Sequence, residues 1–500
     1  MPGTAQDPLQ AVCDEIVATY LQRQGHTTAL NAFEASTGRP GLAASYKDVP
    51  RDLRTLVEQS ASLAAAQAMA RTQLDESDAD DLAGLIEEEK KAKSVPYALE
   101  KTLSHLHLSN LLSIHAVELP EYLSGAWSNT ACIATTSADK RIVFSDPVSG
   151  EVLSMLERPT SPTPNGAVGH DAAVLNLSQN PKQARYVASA GIDGRVVIWD
   201  LHTSLPVQTL HDHMRFAVSV VHSPCGTYLA SAGYDRKIIV YKATYGGERV
   251  TYEKVHTATL AANPEALLFV SGPAAPPKDG AALGVPQRPW LVYTQRSSIV
   301  LHYMALPAPD LESATPDFQV VEYNTNPDPE DYYAGYSLLA LSLHPSGQYV
   351  CAQTGDHSAA QASGAGPAAI GGHALGDQLS RLLILPLFSS FRRLTLWTEA
   401  PSSTFSNPRH AWLANGEAAW VTGEDGVLRL VGLSGDIKAR VLCHGVHEEL
   451  DMHSGAARDA LAAAAWARGG NTVIKDVAVL PDGRVASCGF DRTVRVVVNK

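Results

Sequence analysis

Along most of this 500-residue chain, apolar and polar positions alternate in short runs separated by tight turns carrying Gly or Asp. Runs of that period, rich in Val, Ile, Ala and Ser, predict β-strands, and two of them across a short turn predict a hairpin. The clearest case is 169–200, GHDAAVLNLSQNPKQARYVASAGIDGRVVIWD, where runs at Val187-Ala188-Ser189 and Val196-Val197-Ile198 flank the turn Ile192-Asp193-Gly194. Aligned on the turn Asp, the unit recurs at Asp139 before Ile142-Val143-Phe144 and at Asp235 before Ile238-Ile239-Val240. It recurs again at Asp425 before Leu428-Arg429-Leu430 and at Asp491 before Val494-Arg495-Val496. A Gly-ended turn (Gly226, Gly347, Gly416, Gly483) lies eight or nine residues before that Asp, and Gly347 thereby points to Asp356. A further copy, Trp290 to Tyr293 then Ile299 to Tyr303, has Arg296 near its turn and no Asp. That makes seven units.

One such unit cannot bury its own faces, so the copies must pack on one another. The 169–200 stretch resembles a WD repeat, the unit of the β-propeller family. The resemblance implies a hydrogen-bonded tetrad of His170, Ser189, Asp193 and Trp199, residue types suited to it as donors and acceptors. The fold class it implies is mainly β, a seven-bladed WD-repeat-like propeller over 97–500. Long inserted loops are expected at 157–168, 272–289, 305–335, 357–380 and 444–471. Lys101 to His107 matches Gln208 to His213, which joins two blades, so 97–104 reads as an outer strand with no blade before it. The sequence stops after the third strand of blade seven. In this family the N-terminal strand closes the last blade, which removes an exposed edge.

Ahead of the propeller the period changes to that of helices. Residues 1–10 read as disordered. Within 11–40, Ile16, Val17, Tyr20 and Leu21 form one apolar helical face, Gly25 stops that helix, and Ala29 and Phe33 share a face of the next. This spacing resembles the LisH dimerisation motif, with His26 and Ser36 departing from it. The resemblance implies pairing through Ile16, Tyr20, Leu21, Ala29 and Phe33, and a hairpin this small needs a partner surface. Leu53, Leu56, Leu63 and Leu74 predict a helix or weak coiled coil over 50–74. Residues 75–95, with Asp75, Glu76, Asp78, Asp80, Asp81 and Glu87 to Glu89, read as an acidic, solvated linker.

Composition narrows the function classes. The formal net charge of −13 argues against bulk nucleic-acid binding, which needs a basic footprint. Six scattered cysteines without a CxxC pair fit buried thiols in a reducing compartment. The N-terminus shows no secretion signal and no apolar run is long enough for a membrane span. An intracellular protein, nuclear or cytoplasmic, is expected.

Chemistry is sparse. His444, His447, Glu448, Glu449, Asp451 and His453 crowd one stretch without zinc-like spacing, so a polar loop is expected there and no metal. No phosphate-binding loop, dinucleotide fingerprint or nucleophile elbow occurs, so no cofactor, small-molecule substrate or catalytic residue is assigned. Ser161 and Thr163 precede prolines, a pattern shared by phosphosites and plain turn-rich loops. Together the segments resemble the LisH/WD-repeat scaffold family, which implies a non-catalytic homodimeric scaffold for protein partners. A ubiquitin-ligase substrate receptor and a propeller hydrolase or metal enzyme are the alternatives. Residues flanking the turn Asp are expected on the top face: Lys140, Tyr234, Arg236, Phe490 and Arg492. That cationic and aromatic set suits acidic partners, which include the chain's own 326–331 and 75–89 segments.

Overall fold

The computed structural model describes residues 18, 21, 26–37, 81–91, 96–120, 130–247, 249–273, 287–308, 317–326, 336–355, 379–403, 407–445 and 471–499. Two compact units divide the chain, Met1–Asp81 and Leu82–Lys500.

In the first unit the described element is a helix, Thr27–Thr37. Its first turn is fixed by Leu30 N–H donating to the His26 carbonyl at 2.9 Å, so His26 flanks the helix. Within it Phe33 is half-buried and Ala29 is exposed. Ile16, Tyr20, residues 1–10 and the expected helix at 50–74 lie outside the described residues.

The second unit contains seven four-stranded antiparallel sheets. Blade one comprises Leu111–Leu119, Thr130–Ser137, Ile142–Ser145 and Val152–Leu156, and blade two Val174–Gln179, Tyr186–Gly191, Val196–Asp200 and Leu205–Leu210. Blades three to six follow at 217–259, 264–324, 337–401 and 410–442. Blade seven takes Ile474–Val479, Val485–Gly489 and Val494–Asn499 from the C-terminal end of the sequence and Tyr97–Leu103 from before blade one. The register Tyr97↔Asn499 to Leu103↔Val494 closes the ring, as the repeated join had indicated.

Small residues in the second strands of blades two and three make this stacking possible. Tyr186–Gly191 and Tyr228–Gly233 are buried along their whole length, because a neighbouring blade covers each face. Their sequences, YVASAG and YLASAG, therefore show continuous small or apolar residues. The three buried clusters with the largest side chains centre on Trp199, Trp290 and Trp420 and each spans two blades. Innermost strands are also stitched together by polar side chains. Asp476 Oδ2 accepts from Ile114 N–H (3.1 Å) between blades seven and one, and Asn176 Oδ1 accepts from Val220 N–H (3.0 Å) between two and three.

The expected acidic linker is corrected over part of its length. Asp81–Lys91 is a helix, and Leu82 and Glu89 are buried against the propeller. Acidic composition had suggested solvation, yet the acidic residue at 89 faces inward one turn beyond Leu85 and Ile86.

Candidate functional site: the turn-bearing face of the ring

Each blade turns twice on one face, between its second and third strands and where its outer strand passes to the next blade. The tetrads tie these two loops together. In blade two, His170 Nδ1 meets Asp193 (3.0 Å) and its Nε2 meets Ser189 Oγ (2.8 Å), which also accepts from Trp199 Nε1 (2.8 Å). Asp193 further accepts the N–H groups of Asp171 and Arg195, both at 3.1 Å. Burial pushes the Asp193 carboxyl up, but the His170 contact and these N–H groups outweigh it, leaving it below its ordinary value of 3.8.

Three other blades repeat the core of this device. Blade one uses His107, Asp139 and Thr135, with His107 Nε2 2.9 Å from Thr135 Oγ1. Blade three uses His213, Asp235 and Ser231, and places Tyr241 where blade two has Trp199. Blade seven uses His444, Asp491 and Ser487, both contacts at 2.9 Å. Sequence reasoning missed His444 because a long insertion separates it from Ser487. It is fully buried, not part of a polar surface loop. The adjacent Gly445, whose N–H points at Asp491, repeats the role of Leu108, Asp171 and Met214 through its backbone alone, which no residue type in the sequence marks. His447, Glu448, Glu449, Asp451 and His453, and the expected turn Asp356, lie outside the described residues. Among the described residues no three His, Cys, Asp or Glu side chains are grouped to hold a metal ion.

The residue after the turn Asp has positive φ in blade after blade. Gly194 (76°) and Gly426 (79°) hold this position in blades two and six. In blades one, three and seven it is Lys140 (74°), Arg236 (61°) and Arg492 (66°), all exposed. An L side chain in this conformation costs about 1–2 kcal/mol. Blade two has no choice, because a Cβ on Gly194 would lie 2.8 Å from two backbone carbonyl oxygens. The other three have room, and each spends it on a long cation. None of the three forms an ion pair among the described residues.

Apolar groups share the face. Leu108 and Met214, next to the tetrad histidines, are 75% and 84% exposed. Phe490 and Tyr234 are half-buried. Tyr234 is held toward blade four: Phe216 lies 6.4 Å from its ring, the Arg296 guanidinium sits 5.3 Å above it, and Arg296 donates to its hydroxyl at 3.0 Å. Arg296 is itself paired with Glu265, whose second oxygen accepts from Asn407 Nδ2 at 3.0 Å. This network crosses from blade three to blade six, and the turn without an Asp in blade four is what builds it.

Below this face the innermost strands enclose a cavity of about 520 Å³ lined by His115, Glu265, Arg409, His410 and Asp476 among others. His410 bonds to Gln353 Oε1 (2.9 Å) and Ser342 Oγ (2.6 Å), and burial pushes it down to about 3, with Arg409 adding to the effect. A neutral imidazole locked between two partners is a structural tie between blades five and six, not a free acid or base.

A closed ring of seven such sheets is a seven-bladed β-propeller. Three of its blades carry WD40 repeats: the model of the WD domain, G-beta repeat, matches residues 164–200, 204–242 and 468–497, in blades two, three and seven. Among curated proteins the chain is similar to Protein hir-1 of Neurospora crassa, at 32% identity over 77 residues (15% of this chain, 7% of that protein). It is similar to guanine nucleotide-binding protein subunit beta-1 of Drosophila melanogaster, at 28% over 111 residues (20% and 32%). Pre-mRNA-processing factor 19 of Bos taurus matches at 26% over 155 residues (30% and 28%). The chain thus spans at most about a third of the length of each of these relatives. Among the described residues, no helix is long and apolar enough to cross a membrane.

Proposed function

We propose that the protein is a non-catalytic, homodimeric scaffold inside the cell, and that it presents the turn-bearing face of its propeller to acidic segments of other proteins. One observation carries this reading. Three blades place exposed Lys140, Arg236 and Arg492 at a left-handed turn position where glycine is the cheapest residue. In a chain of net charge −13, three cations without an ion pair among the described residues, held at a conformational cost, are poorly explained by solubility. Exposed Leu108 and Met214, with Phe490 and Tyr234, supply the apolar and aromatic contacts that such an interface needs. A subunit role in an assembly agrees with the relative named as a guanine nucleotide-binding protein subunit.

Pairing of two copies through Ile16, Tyr20, Leu21, Ala29 and Phe33 completes the proposal. Two propellers in one particle would bind a repeated acidic partner by avidity.

The test is Arg236→Glu combined with Arg492→Glu, assayed against a panel of acidic peptides and for thermal stability. Loss of peptide binding with an unchanged melting temperature supports the reading. Unchanged binding reduces the cations to solvating groups. For the dimer, light scattering should find the wild type as a dimer and Phe33→Ala as a monomer with its propeller intact. A monomeric wild type at micromolar concentration refutes the pairing.

A further inference from the structure

The helix Asp81–Lys91 occupies a groove that the ring itself leaves open. Its inward positions are Leu82, Leu85, Ile86 and Glu89, spaced as one helical face, while Ala83, Gly84, Glu87, Glu88, Lys90 and Lys91 are exposed. Leu82 is 1% exposed and packs with Cys351, Leu382, Ile384 and Leu396 of blade five and Val421 and Leu433 of blade six.

The far end of the groove is shaped for a carboxylate. Glu89, 4% exposed, accepts from Ser434 N–H at 2.7 Å and from Ser434 Oγ at 2.8 Å, and pairs with Lys438 Nζ at 2.8 Å. A Cβ on Gly432 would overlap that carboxylate, so the turn Gly432 to Asp436 has to carry glycine where the acid enters. By strand direction this turn lies on the face of the ring opposite the basic turns. The segment cannot serve there as a cover for Lys140, Arg236 or Arg492.

The occupant is weakly made for so specific a seat. Eleven residues are too few to hold a helix alone, and Gly84 sits in its interior. A Cβ at Gly84 would meet nothing within 4 Å, so packing does not require glycine there. Its ordering therefore depends on the groove, as for segments that open by local unfolding.

We propose that the groove between blades five and six is a docking site for amphipathic helices of the form Leu-x2-Leu-Ile-x2-Glu, closed in the resting chain by its own helix Asp81–Lys91. The chain's strap and a partner helix of that pattern compete for the Ser434–Lys438 cradle, and Gly84 keeps the strap exchangeable.

The experiment uses the full-length chain and a fluorescent synthetic peptide with the sequence of residues 79–93. Glu89→Ala in the chain loosens the strap but leaves the groove intact, so the peptide should bind at least tenfold tighter than to wild type. Adding Ser434→Ala should abolish that gain. Gly84→Ala strengthens the strap by about one glycine-to-alanine helix increment, so the peptide should bind about fivefold more weakly. It should also slow amide exchange over 82–91 by a similar factor. Equal peptide binding by wild type and Glu89→Ala overturns the proposal, as does equal binding of a peptide with Gln at position 89. If Glu89→Ala fails to fold, Gly84→Ala decides: amides of 82–91 that exchange only when the whole ring unfolds make the helix a fixed part of the fold and not a strap.

Discussion

Replacing Lys140, Arg236 and Arg492 together by glycine sets strain and function against each other. Each residue sits at φ between 61° and 74°. Left-handed backbone costs a non-glycine residue about 1–2 kcal/mol. Glycine gives back about 0.5–1 kcal/mol through the larger entropy of the unfolded chain. The net is a gain of roughly 0.5–1 kcal/mol per site, about 1.5–3 kcal/mol for the triple variant if distant turns add. Gly194 and Gly426 show that glycine adopts the same turn in blades two and six. Urea unfolding followed by tryptophan fluorescence should therefore give a higher midpoint for the variant. Fluorescence anisotropy with an acidic peptide should give weaker binding and a shallower dependence on salt, since three cations have gone. A lower urea midpoint refutes the strain reasoning. Undiminished peptide affinity refutes the functional one, and each can fail without the other.

Other perturbations follow from the same geometry. His444→Ala strips Asp491 and Ser487 of their shared partner and should cost about 2–4 kcal/mol, to be compared by urea unfolding with His170→Ala in the complete tetrad. His222 and His410 are both held down to about 3 by burial, so each binds a proton in the unfolded chain well before the folded one. Their contribution is complete above the ordinary value of 6.5 and drains away as pH falls from 6.5 toward 3. A slope of about 1.4 kcal/mol per pH unit per histidine is expected midway, and His222→Gln with His410→Gln should flatten it. Deleting 1–79, which keeps the helix Asp81–Lys91, should leave a soluble ring, whereas replacing Tyr97–Leu103 in that chain by a Gly/Ser run bares the strand Val494–Asn499 and should cause aggregation, measured by light scattering. Equal behaviour of the two variants contradicts the closure.

Legibility in the sequence tracked how local the determining contacts were. The tetrad of blade two lies within 32 residues, and its strands, turn and ring-closing relative at Lys101 to His107 all carried the repeat's own signature. His444 did not, since its partners Ser487 and Asp491 lie beyond an insertion. The left-handed turn positions could have been read by setting Lys140, Arg236 and Arg492 beside Gly194 and Gly426. Lys438 and Ser434, in contrast, could not have been linked to Glu89 by any pattern. They lie about 350 residues away, and charge composition at 75–95 pointed to solvent. The Arg296–Glu265–Asn407 network escaped for the same reason, because a turn lacking Asp reads as a defect until its replacement contact is seen.

Closure by the strand Tyr97–Leu103 also fixes an order of events during synthesis. Thr102 bonds to Arg495, 393 residues later. At roughly 5–20 residues per second, the first strand of the ring waits on the order of 20–80 s before its partner leaves the ribosome. Blades one to six can each form as their own strands emerge, since their sheets are built from consecutive segments. Blade seven cannot. Until the final strand arrives, Tyr97–Leu103 is an unpaired segment on a half-built ring, free to pair with another nascent chain. The pairing that completes blade seven is thus the last step in building the ring, and the growing ring is most exposed to its neighbours just before Val494–Asn499 emerges.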